Sequence, residues 1–221
     1  MTDLAIYDMD RTVTIRATYT PFLLHCARRR QPWRLALTPL AAASMLAYVG
    51  KLIDRARLKE INHALMLGRS IHPHEMKPLV ESFADATVAG NICPGARIAI
   101  ARDKAEGRRL VLATASYRLY AAAIAERLGF DDVVATGTVI NLSQALSARI
   151  EGENCYGPAK KRMLDDWLKL EKVEPGRVRF YSDDISDLPV FEWADEPVAV
   201  NPRPPLRKLA QERGWRVEDW L

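Results

Sequence analysis

Three short apolar runs in this sequence each end in reactive polar groups. Leu4-Ala5-Ile6-Tyr7 leads into Asp8-Met9-Asp10-Arg11-Thr12, and Leu110-Val111-Leu112-Ala113 into Thr114-Ala115-Ser116. Val178-Arg179-Phe180-Tyr181 leads into Ser182-Asp183-Asp184-Ile185-Ser186-Asp187, and Lys160 follows Gly157 at an expected helix start. These residue types suit phosphoryl transfer, which needs a nucleophile, a proton donor for the leaving oxygen and positive charge on the non-bridging oxygens. A carboxylate such as Asp8 can be the nucleophile, forming an acyl phosphate that water then hydrolyses. Its charge repels a phosphate dianion, so a cation is required. Asp8 and Asp183 could share Mg²⁺, a hard ion bound through one or two carboxylates, waters and phosphate oxygens. Lys160 supplies a second positive charge and the Thr114 hydroxyl a donor. Asp10, two residues beyond Asp8, is placed to protonate the leaving group.

Such groups must be delivered by a scaffold. Apolar runs ending in carboxylates read as buried strands, with Val133-Val134-Ala135 and Val198-Ala199-Val200 as two more. Helical periodicity appears over 96–105, 120–128 and 158–170, the last opened by Pro158. Strands alternating with helices predict an α/β fold, a Rossmann-like parallel sheet covered on both faces, with its site at the strands' C-terminal ends. A hairpin off the sheet is expected near Val139-Ile140 and Ala148-Arg149-Ile150. From 15 to 90 there is no strand signal. Tyr19, Phe22, Leu23 and Cys26, then Leu58, Ile61 and Leu65, then Met76, Leu79, Val80 and Phe83, mark an all-helical insert. The expected division is a core of 1–14 and 91–221 and a helical cap of 15–90.

The chain has 221 residues, 48% hydrophobic and 27% charged, which excludes a disordered or fibrous class. Three scattered cysteines lack metal or redox spacing and suit a reducing cytoplasm, and no secretory signal opens the chain. The formal charge of +4 is unevenly placed: between Arg16 and Lys59 stand nine Lys/Arg and one acid, Asp54. A basic segment can attract phosphates, nucleic acid or an anionic membrane. No zinc spacing or RNP-like aromatic run supports nucleic acid, and none is expected as partner.

DMDRT at 8–12, Thr114, GPAK at 157–160 and DDISD at 183–187 resemble, in order and spacing, the four motifs of the haloacid dehalogenase (HAD) superfamily. The helical insert sits where that superfamily carries its type-1 cap. NCYGPAKKRML and AVNPRPPLRKLAQERGW are similar to the phosphoserine-phosphatase-like branch, subfamily IB. The resemblance implies a Mg²⁺-dependent phosphatase acting on a small phosphorylated substrate. It implies Asp8 as nucleophile, Asp10 as general acid/base and main-chain ligand, and Asp183 as metal ligand. Thr114, Ala115 and Lys160 would bind the phosphoryl group, with Thr12, Ser116, Asp184 and Asp187 in support. From the residues alone, Thr114 equally suits a helix N-cap, Ser116 competes with it, Lys161 competes with Lys160, and Asp184 equally suits solvent.

Phosphoserine itself fits poorly. Members specific for it carry a Glu after the first motif to meet the substrate ammonium, and the corresponding position here is about Ala17. Arg11 and Arg16 are the specificity candidates, cations suited to a second anionic group. Leu35 to Gly50 holds sixteen residues without charge between basic flanks, short for a span of about 20. The expected arrangement is a cap helix packed against its neighbours. The alternative is a membrane-peripheral cap resting on an anionic lipid surface, which would favour a head-group phosphate as in phosphatidylglycerophosphate phosphatases. Transfer of the phosphoryl group to an alcohol is a further alternative, and a non-catalytic anion-binding protein another.

Overall fold

A computed structural model describes all residues, 1–221. Eight strands form one sheet: β1 (Thr2–Tyr7), β2 (Ser70–Ile71), β3 (Arg109–Tyr117), β4 (Asp132–Ile140), β5 (Leu146–Glu151), β6 (Pro175–Ser182), β7 (Glu196–Val200) and β8 (Arg216–Glu218). Their spatial order is β2-β5-β4-β3-β1-β6-β7-β8. The block from β4 to β8 through β3, β1, β6 and β7 is parallel, while β5 returns antiparallel to β4 and β2 antiparallel to β5. The strand order reverses around β1, so a crevice opens at its C-terminal end, where the neighbouring connections leave on opposite sides.

Alternation along the central strands divides the core in two. Ala5, Tyr7, Leu110 and Leu112 face α5 (Pro94–Ala105) and α6 (Arg118–Leu128). Leu4, Ile6, Val111, Ala113, Val178 and Phe180 face the other side, with α7 (Pro158–Leu170), α8 (Leu188–Trp193) and α9 (Pro204–Arg213). The expected strands and helices of the core are present, including the hairpin as β4 and β5. The three cysteines are free and buried.

Between β1 and α5 the chain forms α1 (Tyr19–Arg30), a 3-10 turn at Pro32–Leu37, α2 (Thr38–Val49), α3 (Arg55–Met66) and α4 (Pro73–Gly90). The buried faces of α1 and α4 carry Phe22, Leu23 and Cys26, and Met76, Leu79, Val80 and Phe83. The insert is not wholly helical: Ser70–Ile71 pairs with Leu146–Ser147 as a sheet edge. Two residues are too few to carry a period. His72 caps α4 in a capping box with Glu75, and both His72 and His74 are exposed. The expectation of an uncharged helix packed among its neighbours holds for one edge of α2 only. Ser44, which donates to Asn62 Oδ1 at 2.9 Å, is its sole buried residue. No helix is long and apolar enough to cross a membrane.

Candidate active site

Four chain segments converge at the C-terminal ends of β1, β3 and β6. The loop after β1 is tied down by Thr14, whose N–H and hydroxyl both donate to the Met9 carbonyl, at 2.9 and 3.0 Å. The Asp8 N–H donates to Tyr181 O on β6 at 2.9 Å. Within this loop Arg11 stands at φ +68, a left-handed conformation that disfavours side chains beyond Gly, Asn and Asp. Backbone strain of this kind collects at functional loops.

After Thr114 the pairing of β3 with β4 slips, from Thr114↔Ala135 to Tyr117↔Thr136. Ala115 and Ser116 therefore bulge out of the ladder at the cavity. The Thr114 hydroxyl oxygen accepts the Ser116 N–H at 3.0 Å, which leaves its proton free to donate. At the start of α7, Gly157 takes φ +60, ψ −134, a combination open essentially to glycine. That turn sends Lys160 inward. Its Nζ donates to Asp8 Oδ1 at 2.8 Å and to Asp187 Oδ2 at 2.6 Å, with all three side chains nearly or fully buried. Lys161 points away, to Asp165, so the competition between the two lysines is resolved by geometry. Ser182 Oγ donates to the same Asp187 oxygen at 2.7 Å.

Asp10 is held from three directions. Its Oδ1 accepts the Thr18 N–H and hydroxyl at 2.8 and 2.7 Å, and its Oδ2 accepts the Ser116 hydroxyl at 2.8 Å. Ser116 thus orients Asp10 rather than replacing Thr114. Thr12 reaches Asp8 Oδ2 only at 3.4 Å. Asp184 caps its own turn by accepting the Ser186 N–H at 3.0 Å and pairs with Arg203 at 2.9 Å. Arg203 also lies 3.4 Å from Asp183 Oδ2.

These residues line a cavity of about 350 Å³ that includes Asp8, Asp10, Thr114, Ala115, Lys160, Asp183, Asp184 and Asp187. Its electrostatics are those of crowded carboxylates. Burial, with Asp187 and Asp183 adding to it, raises Asp8 to about 8 against the opposing pull of Lys160. Burial likewise raises Asp183 to about 6, opposed by Arg203. For Lys160 burial acts downward, and Asp187 and Asp8 more than reverse it, so the amine stays protonated. Asp187 Oδ1 is buried without a partner. A site with this excess of negative charge and hard oxygen donors suits a divalent cation. No cluster of three or more His, Cys, Asp or Glu side chains is arranged to hold a metal ion.

One expectation changes. Arg16 is exposed and absent from the cavity; its main chain pairs with the Asn91 side chain. Arg11 does line the cavity, joined by two cations not anticipated from sequence, Arg55 of α3 and Arg203. The third addition is Lys59, also on α3 and buried. Its Nζ donates to the Ala115 carbonyl and to Asn154 Oδ1 (2.6 Å), and burial lowers it to about 7. A readable signal existed: Arg55, Lys59 and Asn62 fall at i, i+4 and i+7, a polar stripe beside the apolar Leu58, Ile61 and Leu65.

The sequence model of the haloacid dehalogenase-like hydrolases matches residues 5–192. Phosphoserine phosphatase SerB1 of Mycobacterium tuberculosis is 30% identical over 226 residues, spanning all of this chain and 71% of that protein. The histidinol-phosphatase of Neisseria meningitidis is 25% identical over 147 residues, 65% of this chain and 66% of its own. A protein of unknown function from Bordetella pertussis superposes with a TM-score of 0.87 at 25% identity over the full length of both chains. The motif order, the strand-end carboxylates and these similarities agree: the chain belongs to the haloacid dehalogenase-like hydrolases, in their phosphoserine-phosphatase-like branch, and is a phosphatase.

Proposed function

We propose that this phosphatase hydrolyses a small or head-group-sized phosphate monoester through a phospho-aspartate on Asp8. The observation that carries the proposal is Lys160 bridging Asp8 and Asp187 in a cavity shared with Thr114 and Asp10. In the first half-reaction an Asp8 carboxylate oxygen bonds to phosphorus, the ester P–O bond breaks, and Asp10 gives its proton to the departing alkoxide. In the second, Asp10 takes a proton from water as that water bonds to phosphorus. The acyl-phosphate P–O bond then breaks, releasing phosphate and restoring Asp8. Lys160 and the Thr114 hydroxyl hold the non-bridging oxygens, with Ala115 in the same bulge, and Asp187 anchors Lys160. The hydrogen bonds from Thr18 and Ser116 fix where the Asp10 carboxyl points. Asp8, Asp183 and the main-chain carbonyl of Asp10 would hold Mg²⁺, which when bound neutralises charge on the phosphoryl oxygens. Residues 15–90 act as the cap over a core of 1–14 and 91–221, limiting water access during the first transfer.

The ester's alcohol portion carries an anionic group rather than an ammonium. Ala17 lines the cavity where a carboxylate would be needed for an amine, while Arg11, Arg55 and Arg203 line it as cations. A lipid head-group phosphate is the second reading, favoured by uncharged α2, whose Met45 and Tyr48 line an adjoining pocket that shares Asp10, Arg55 and Ala115 with the cavity. Transfer to an alcohol acceptor uses the same intermediate and differs only in what reaches Asp10 in the second step.

Turnover of a panel containing phosphoserine, sugar phosphates, nucleotides and phosphatidylglycerophosphate tests the reading, with and without Mg²⁺ and in Asp8→Asn. Activity should require Mg²⁺ and fall by at least about 10⁴-fold in Asp8→Asn, as loss of a nucleophile does. Equal turnover by the variant overturns the phospho-aspartate route. Product appearing on added glycerol at the expense of free phosphate would favour transfer.

A further inference from the structure

The outer face of α2 has no partner in the fold. Within the uncharged stretch between Arg34 and Lys51, Leu40, Leu46 and Val49 of α2 are 55, 73 and 70% exposed, and Trp33 before it and Leu52 after it are 61 and 81% exposed. Isolated exposed apolar residues are ordinary, but Leu46 and Val49 share the side of α2 opposite the buried Ser44, and an uncharged segment with this many exposed apolar side chains marks an interaction surface. Its flanks are basic. Arg28 and Arg29 close α1 just before it and Lys51 follows it directly; all three are exposed and form no salt bridge. Asp54 is the only acid from Arg16 to Lys59.

We propose that this face of the cap docks on an anionic lipid bilayer surface. The apolar residues would enter the boundary between head groups and acyl chains, and the arginines and lysine would meet lipid phosphates. Trp33, an indole beside a cation at the edge of the patch, suits the head-group level. A second copy of the chain is the poorer occupant, because two-fold pairing through this face brings each basic flank near its own equivalent. Spanning is excluded by helix length. The docked face is continuous with the site. Met45 and Tyr48, on the same helix, line a pocket of about 230 Å³ that also includes Asp10, Arg55 and Lys59. Where the phosphatase reading holds, docking brings that pocket to a phosphate monoester at the membrane surface; the docking itself does not depend on turnover.

Flotation with vesicles tests it, comparing phosphatidylcholine alone with phosphatidylcholine containing roughly 30% phosphatidylglycerol. The full chain should bind the anionic vesicles at least roughly tenfold more tightly, and Leu46→Glu/Val49→Glu should lower that binding by roughly tenfold or more. Arg28→Glu/Arg29→Glu should weaken binding and its salt dependence together. Both variants alter exposed residues outside the cavity, so circular dichroism and turnover of a soluble ester should match the parent chain. Asp8→Asn should float like the parent, which separates docking from catalysis. Absence of flotation, or flotation indifferent to Leu46→Glu/Val49→Glu, overturns the proposal. So does a dimer in light scattering that those substitutions dissociate, since the face would then be occupied by a second copy.

Discussion

Two buried lysines, Lys160 in the cavity and Lys59 in the pocket adjoining it, meet opposite conditions. Lys160, from the core, has two carboxylates within 2.8 Å and is held protonated. Lys59, from α3, has only a main-chain carbonyl and an amide oxygen as acceptors, and burial lowers it to about 7. The strand-end side of the site is rich in carboxylates, with Lys160 placed between two of them. The α3 side is short of negative charge, with Arg55 lining the cavity and Lys59 an adjoining pocket. On the proposed reading, the strand-end side carries the bond-breaking chemistry and the α3 side responds to what the substrate brings.

If that contrast is right, Lys160→Met produces the larger damage. It removes a charge from the phosphoryl oxygens, and kcat should fall by about 10²–10³-fold. It also leaves Asp8 and Asp187 buried without their cation, a loss of about 3–5 kcal/mol in folding stability near pH 8. The sign with pH follows from Asp8, whose folded value is already raised by burial and rises further without Lys160: the deficit grows as the pH climbs through about 8 and shrinks below it, where Asp8 is protonated in both proteins. Denaturant unfolding at pH 5 and pH 8 checks this, and an equal loss at both would mean that Lys160 is not compensating charge. Added Mg²⁺ should recover part of the loss at pH 8 by binding the folded state.

Lys59 sharpens the contrast with an opposite sign. Its folded value is lowered, so the protonated amine is penalised on burial. That penalty is full below pH 7 and disappears as the pH rises toward the ordinary lysine value of 10.5. Parent stability measured against Lys59→Met should therefore rise with pH across this window, with a slope approaching about 1.4 kcal/mol per unit for one proton. The variant should also lose its hold on the Ala115 carbonyl, and kcat should drop by roughly tenfold through the loosened loop. Parallel pH profiles for the two proteins would show that the amine is not kept in the buried position.

The same two halves differ in how far they could be read from sequence. The strand-end groups were legible because each follows an apolar run of strand length, so one local pattern gives both the element and the position of its reactive end. The Gly157-x-x-Lys spacing points to Lys160 over Lys161, and the positive-φ turn at Gly157 is what sends it inward. The cap residues follow a weaker rule. A helix period says that Arg55, Lys59 and Asn62 share a face, but which face turns to the core depends on how α3 lies against β5 and α1. Arg203 depends on β7 lying beside β6, a matter of strand order rather than local sequence. The run Leu35 to Gly50 leaves two readings open for a related reason: an uncharged helix is buried or exposed according to whether another layer covers it, which local sequence does not say.

The smallest expected effects separate the specificity cations. Arg55 stacks over the Tyr156 ring with its guanidinium 3.9 Å from the centroid, forms no salt bridge and lines the cavity. Such a cation is preorganised and free to meet a second anionic group on the ester. Arg55→Ala should raise KM for an ester carrying that group by roughly tenfold, equivalent to about 1.4 kcal/mol, with kcat nearly unchanged. An ester lacking the group should show little difference, because the interaction lost is with the alcohol portion and not with the phosphoryl oxygens. Arg16, exposed and outside the cavity, is the control: Arg16→Ala should change neither parameter beyond roughly twofold at moderate salt, where distant surface charges are screened. A larger effect at Arg16 than at Arg55 would move the substrate's second charge out of the pocket and to the rim, and would break the assignment of specificity to α3.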